Sequence, residues 1–175
     1  KIDAINDTTP SINGKNGGSS TIPVIKNDTL NGEPVTANEV STTVKTPAQP
    51  LDPANPNKNV PTLDPATGLV TVPPNTPAGN YSIEYTLCEV LNPTNCDSAT
   101  VTVVVTPALI DAVNDSFGPI NSKDGGSTPT VLFNDTLNGK SVVGADIELT
   151  PGASPHAGVT MNADGTITVA PSTPA

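Results

Sequence analysis

Few residues in this chain have the type and spacing that chemistry requires. Its two cysteines, Cys88 and Cys96, flank the seven residues EVLNPTN. Both fall inside what reads as one β-hairpin, Cys88 near the end of the first strand and Cys96 just before the second. Facing positions at a hairpin mouth can meet disulfide geometry. In an extracellular chain a disulfide is the default for such a pair. It would close a short loop, a gain of about 2–3 kcal/mol in the chain-entropy picture. Two thiols with no histidine nearby do not fill a zinc shell. A redox role lacks both the C-x-x-C spacing and a basic neighbour to hold a thiolate.

The remaining candidates for catalysis are thin. His156 is the only histidine and follows Pro155 in a loop, with no serine or cysteine motif to form a triad. There is no G-x-S-x-G, no H-E-x-x-H and no phosphate-binding loop. Glu84 and Glu89 lie on a strand and its turn, and nothing in their spacing makes them a glycosidase pair. The sequence carries no catalytic constellation, so no enzyme is expected.

Oxygen-rich clusters are the other resource. Asp3, Asn6 and Asp7 recur as Asp111, Asn114 and Asp115, and Asn27 and Asp28 recur as Asn134 and Asp135. Calcium takes six to eight oxygen ligands, which Asp, Asn and backbone carbonyls near a domain junction supply well. The 111–115 cluster follows an inter-unit linker, where a cation could stiffen the joint. The same residue types also accept backbone N–H bonds and start loops. There is no D-x-D-x-D-G loop, and both readings stay open: Ca2+ as the one cofactor, or turn chemistry alone.

Composition limits the partners. The 175 residues carry 17 acidic and 7 basic side chains, a formal charge of −10. Such a surface suits solubility and divalent cations. It argues against nucleic acid, whose phosphates need a basic face, and against anionic membrane surfaces. Two Phe, two Tyr and no Trp exclude a large aromatic core. Val, Ile, Leu and Ala supply the apolar mass, often alternating with Thr, which suits a pleated, half-buried surface. Twenty Pro and 14 Gly interrupt the chain too often for ordinary helices. No apolar run approaches the roughly 18 residues of a membrane span, and no signal peptide is evident. Lys1 is not a natural start, so a processed protein or an internal fragment is expected.

The chain repeats itself. IDAIND at 2–7 returns as IDAVND at 110–115, and INGKNGGSS at 12–20 as INSKDGGST at 120–128. NDTLNG at 27–32 recurs unchanged at 134–139, and GLVTVPPNTPA at 68–78 matches GTITVAPSTPA at 165–175. Blocks in the same order define a unit of roughly 100 residues, the size of an immunoglobulin-like sandwich. The domains expected are 1–106 and 107–175. The second copy has no equivalent of residues 79–106, the two strongest strands, so an unpaired edge and an open core are expected there.

Within 81–88, Tyr81, Ile83, Tyr85 and Leu87 alternate with polar residues. Within 99–105, Ala99, Val101, Val103 and Val105 do the same. These two runs predict an antiparallel hairpin with one wet face. Shorter strands are expected at 21–25, 40–44 and 69–72, and in the second copy at 130–133, 147–149, 159–161 and 166–169. Asp164-Gly165 predicts a tight turn, since Gly accepts positive φ, with Gly68 in the same role. The Pro- and Asn-rich stretch 49–61 reads as an extended loop, and 106–110 as a linker stiffened by Pro107.

D-A-x-N-D-x-F followed by V-L-x-N-D-T-x-N-G resembles the opening of cadherin-like and immunoglobulin-like tandem repeats of bacterial surface proteins. NYSIEYTLCEVLNPTNCDSATVTVVV resembles the closing hairpin of repeats in giant cell-surface adhesins of Bacteroidota, gliding adhesins among them. The resemblance covers nearly the whole chain. It implies an all-β chain of tandem immunoglobulin-like or cadherin-like β-sandwiches, the second one incomplete, in a secreted, surface-anchored protein. It also implies O-glycosylation in D-S/T-apolar motifs, at Thr8, Thr29, Ser98, Ser116 and Thr136, with plain turn chemistry as the alternative.

The function expected is a structural and adhesive module in the stalk or fibre of an extracellular bacterial surface adhesin, in gliding or surface attachment. Its partners would be neighbouring repeats, identical subunits, or surface glycans and proteins, without nucleic acid or membrane insertion. The alternative is a filament subunit in which a strand of the next molecule completes the second sandwich. A carbohydrate-binding module would want exposed aromatic platforms, which four aromatics hardly supply.

Overall fold

Residues 79–106 have the strongest period-two alternation in the chain, and in the computed structural model they form its longest strands. The structure describes residues 1–154 and 156–174. Strands Gly79–Glu89 and Cys96–Thr106 pair antiparallel in unbroken register from Gly79↔Val105 to Cys88↔Cys96. One face is buried throughout: Tyr85, Leu87 and Val103 are fully covered, and Tyr81, Ile83, Ala99, Val101 and Val105 nearly so. Threonines and Glu84 take the wetter face, as the alternation demands.

The chain divides into two units, Lys1–Ala108 and Leu109–Ala175. In unit 1 the long hairpin is the centre of a five-stranded sheet. Val40–Thr46 pairs antiparallel with its first strand. Asp7–Thr8 and Ile12–Asn13 pair parallel with its second. Facing it are two small antiparallel sheets. One joins Ile2–Asp3, Thr29–Leu30 and Glu33–Pro34. The other joins Gly18–Ser19, Val70–Val72 and Thr62–Leu63. The core lies between the layers, where Ile2, Val24, Leu63, Val70 and Val72 pack on the hairpin's apolar face.

Unit 2 repeats both small sheets. Ile110–Asp111, Thr136–Leu137 and Lys140–Ser141 form one. Gly126–Ser127, Ile167–Val169 and Val159–Met161 form the other. Among its described residues there is no counterpart of the five-stranded sheet. The architecture is therefore all-β: an immunoglobulin-like and cadherin-like sandwich, followed by a second one that lacks a layer within this chain.

Local chemistry explains the shared turns. Leu30 and Glu33 are joined through Asn31-Gly32, both at positive φ (54° and 86°), and Asn138-Gly139 repeats this at 52° and 71°. Asn-Gly is the pair that tolerates both left-handed positions of a type I′ turn. Gly68 (φ 69°) and Gly165 (φ 81°) turn the other small hairpin in each unit, as expected. At Gly17 and Gly125 a Cβ would sit 2.6 and 2.5 Å from the Val72 and Val169 carbonyl oxygens, so only glycine fits.

Three strand expectations fail. Residues 21–25 hold no strand, and Val24–Asn27 is instead a 3-10 turn. Pro23 has no N–H for a ladder, and its carbonyl accepts from Lys26 N at 3.1 Å. The matching stretch 130–133 is likewise a turn, with Asp135 N donating to the Leu132 carbonyl. Residues 147–149 are also not a strand. In the repeat register Ile147 stands where Val40 stands, and Val40–Thr46 is a strand because it pairs with Gly79–Glu89. The described part of unit 2 provides no such neighbour.

Candidate functional site

The densest convergence of polar groups lies at one end of unit 1, under the long hairpin. Tyr85 comes from the hairpin, Asp7 from the strand that pairs parallel with it, and Asp28 follows the 3-10 turn. The Tyr85 hydroxyl is 3.0 Å from Asp7 Oδ2, 3.3 Å from Asp28 Oδ2, and 3.4 Å from both the Ile5 and Val24 carbonyl oxygens. Asp28 is fully buried, and its Oδ1 accepts the Ile5 N–H at 2.7 Å. The Asn27 amide, turned with its nitrogen inward, donates to Asp7 Oδ1 and to the Val24 carbonyl, each at 3.1 Å.

One hydroxyl proton cannot serve two carboxylates. Burial pushes Asp7 up to about 6, against the opposing hydrogen bond from Tyr85 and reinforced by the Asp28 charge. Burial also raises Asp28, against its bonds from Ile5 and Tyr85. Tyr85 is raised as well, by burial and by the two aspartates. The cluster therefore favours an extra proton shared among Asp7, Asp28 and Tyr85. Tyr85 and Asp28 are buried and Asp7 half-buried, so the cluster ties the first strands, the 3-10 turn and the hairpin together.

Neighbouring side chains fix the first strand to the hairpin. Asp97 Oδ2 accepts the Ala4 N–H at 3.0 Å, Asn95 Oδ1 the Ile2 N–H at 3.3 Å, and Asn6 Oδ1 receives the Thr100 N–H at 2.9 Å. The Ala4 bond, with one from Ser98 N–H, holds Asp97 below the usual carboxylate range. Asp97 and Tyr85 are central here, yet sequence reading assigned neither a place in a polar cluster. No signal in the sequence marks them, because the burial of Asp28 and the half-burial of Asp7 are set by packing.

The expected cation ligands divide accordingly. Asp7 and Asp28 meet around Tyr85, Asn6 is taken up by the Thr100 N–H, and Asp3 is an exposed strand residue. In unit 1 the tyrosine oxygen occupies the middle of the oxygen cluster. In unit 2 Asp135 Oδ1 accepts the Val113 N–H at 2.8 Å, repeating the Asp28–Ile5 bond. Asp111 and Asn114 are exposed, while Asp115 Oδ1 and Asn134 Oδ1 are buried without a partner. Among the described residues no group of three or more His, Cys, Asp or Glu is arranged to hold a metal ion.

Cys88 and Cys96 face each other across the hairpin and are disulfide-bonded, with Cα atoms 4.1 Å apart. Glu84 accepts from Lys45 Nζ at 2.7 Å and Thr46 Oγ1 at 3.0 Å, and Glu89 from the Asn92 and Asn95 amides, each at 2.7 Å. His156 is exposed, its N–H donating to Ser154 Oγ. Of the five glycosylation candidates, Thr8 and Ser116 are exposed. Thr29, Ser98 and Thr136 are half-buried in strands or beside them, and Ser98 Oγ bonds Thr86 Oγ1 at 3.0 Å.

No family model and no curated protein matches this chain. Among solved structures it is similar to the protocadherin gamma B4 extracellular domain, at 14% identity and TM-score 0.39 over 95% of this chain and 25% of that one. It is similar to a protocadherin gamma B7 EC3-6 cis-dimer at 14% identity and TM-score 0.37, over 98% and 38%. The insect immune protein hemolin matches at 13% identity and TM-score 0.29, over 95% and 39%. The chain spans well under half the length of each. Likeness at this level carries no argument, and the fold assignment rests on the strand topology above.

Proposed function

We propose that this chain is a non-catalytic structural and adhesive repeat module of an extracellular protein, acting in the stalk or fibre of a bacterial surface adhesin. The observation that carries this reading is tandem repetition of one building block. Two units share both small sheets, the same Asn-Gly turns and the same glycine-restricted loops. Such arrays work by reach and by contacts between neighbours. The cross-strand disulfide supports an oxidising compartment. No helix among the described residues is long and apolar enough to cross a membrane. Its partners in this reading are adjacent repeats or identical subunits, and surface glycans or proteins.

The test is localisation with function. Antibodies to residues 1–108 should label intact, unpermeabilised source cells and reduce their attachment or gliding. Labelling only after permeabilisation would overturn the proposal. Intact mass of the native chain reads glycosylation at Thr29 and Thr136, the repeat-equivalent candidates. Melting with and without a chelator reads calcium.

A second reading is favoured by the uncovered face of unit 2, where Ile110 is 60% exposed. In it the chain is a filament subunit completed by a strand of the next molecule. Native assemblies that fall apart into single chains in mild denaturant while unit 1 stays folded would favour that reading.

A further inference from the structure

Asn-Gly pairs stand at 13–14, 16–17, 31–32 and 138–139. Asparagine before glycine is prone to cyclise, because the glycine nitrogen reaches the side-chain carbonyl carbon with no Cβ beside it. We propose that Asn31 and Asn138 are sites of spontaneous conversion to aspartate and isoaspartate, that the fold protects Asn13 and Asn16, and that isoaspartate at 138 releases the start of unit 2. This inference does not depend on the adhesive reading.

The attacking nitrogens differ. Gly14 N–H donates to the Thr106 carbonyl and Gly17 N–H to the Asn13 carbonyl, each at 2.9 Å. A Cβ at Gly14 would sit 2.1 Å from the Thr76 carbonyl oxygen, and one at Gly17 would sit 2.6 Å from that of Val72. Both nitrogens are thus bonded in packed surroundings and must give up a bond before they attack. Asn13 is also held, its Oδ1 accepting Asn16 N–H and its Nδ2 donating to the Pro107 carbonyl, each at 3.1 Å. Gly32 and Gly139 are exposed in two-residue turns. Among the described residues neither N–H has a hydrogen-bond partner, and a Cβ at either would meet nothing within 4 Å.

The carbonyls in these turns are polarised. Asn138 Oδ1 accepts Leu109 N–H at 2.9 Å, and Asn138 N–H donates to the Leu109 carbonyl at 2.8 Å. Asn31 repeats both bonds with Lys1: its Oδ1 accepts from the Lys1 nitrogen, and its N–H donates to the Lys1 carbonyl at 2.8 Å. A donor on Oδ1 steadies the oxyanion that forms as the nitrogen adds to Cγ. Asn13 has such a donor too, so the state of the glycine nitrogen decides between the pairs. In the step, a bond forms from Gly139 N to Asn138 Cγ, the Cγ–Nδ2 bond breaks, and ammonia leaves with the proton of the glycine nitrogen. Water then opens the cyclic imide at either carbonyl.

Opening at one carbonyl gives aspartate, and opening at the other runs the main chain through the side chain. That isoaspartate adds one carbon between Leu137 and Lys140, and a two-residue turn that sets strand register has no slack for it. Leu109 is the first residue of unit 2 and is held by Asn138 at both its N–H and its carbonyl. Losing those bonds frees the entry to strand Ile110–Asp111. Each conversion also adds a carboxylate to a chain of formal charge −10.

The experiment holds the full chain in mildly alkaline buffer, native and denatured side by side. Peptide mapping with isoaspartate-specific methyl transfer follows each site over time. In the denatured chain all four should convert at comparable rates. In the native chain Asn13 and Asn16 should lag Asn31 and Asn138 roughly tenfold or more. Native conversion of Asn13 or Asn16 as fast as Asn138, or protection of all four, overturns the proposal. Amide hydrogen exchange at Leu109 should quicken roughly tenfold or more in the fraction carrying isoaspartate at 138, and unchanged exchange overturns the release. Asn138→Asp keeps both an acceptor oxygen and the main-chain length, so it should leave Leu109 protected. Equal loss of protection in that variant assigns the effect to charge and overturns the main-chain cause.

Discussion

Unit 1 and unit 2 begin with nearly the same residues and end with very different surfaces. IDAIND starts a strand whose Ile2 is 2% exposed, and IDAVND starts a strand whose Ile110 is 60% exposed. Both form the same two small sheets, each a local hairpin to which one more distant strand is added. What differs is the layer above. In unit 1 the long hairpin covers the small sheets, gives Asp7 and Asp28 a hydroxyl, and recruits three further strands to its edges. The small sheets are thus self-sufficient in turn chemistry, but their burial comes from the hairpin.

Removing hairpin mass should collapse that contrast most strongly. Ile83→Ala, at a position 1% exposed, should cost unit 1 about 2–5 kcal/mol. Denaturant unfolding monitored by Tyr81 and Tyr85 fluorescence, both in unit 1, checks this. Opening the disulfide with Cys88→Ser and Cys96→Ser together should cost about 2–3 kcal/mol, visible as a unit 1 melting transition below that of the oxidised parent. A reductant should reproduce the loss in the parent and do nothing to the variant.

Tyr85→Phe comes next, at about 1–3 kcal/mol for carboxylates left without their buried donor. It should bring the unit 1 core closer to the state of Asp115 in unit 2, and raise Asp7 further, since the lost bond had favoured its charged form. Carboxyl NMR titration of Asp7 reads this directly.

Acid response separates the units in another way. Asp7 has a folded value of about 6 against 3.8 for the ordinary side chain. Between those values the folded state binds more protons than the unfolded one, so this group's effect makes stability fall as pH rises from about 4 to 6. Asp28 acts in the same direction. Asp7→Asn should flatten that slope, and denaturant midpoints at pH 4.5 and 7 measure it. The smallest effect belongs to Lys45→Ala. The side chains of Lys45 and Glu84 are 54% and 33% exposed, so losing their ion pair should change stability by under about 1 kcal/mol.

Much of this was legible in residue order. The hairpin of 79–106 follows from alternation, and its edges extend one to three residues beyond the alternating core because the ladder continues through polar positions. Gly68 and Gly165 announced their turns. The Asn-Gly pairs at 31–32 and 138–139 carried an equally strong hairpin signal and were left unassigned in the reading of the repeat. The errors at 21–25 and 130–133 share a cause: β-branched residues looked like strand, but a proline within the first stretch (Pro23) and just before the second (Pro129) interrupts a ladder, and turns follow both. At 147–149 the pattern was sound and the partner was missing.

The sequence by itself determined the repetition of the unit, the alternation of the long hairpin, the turns at Gly68 and Gly165 and the cysteine pairing. Each of these depends on neighbours or on a short, regular spacing. Only the tertiary structure decided that Asp7 and Asp28 meet the hydroxyl of Tyr85, 78 and 57 residues away along the chain. It alone decided that Ile2 is buried while Ile110 is not. Burial and the proton affinity of a carboxyl group are properties of what is packed against a residue. Nearly identical hexapeptides therefore acquire different chemistry when one of them lies under a hairpin and the other lies open.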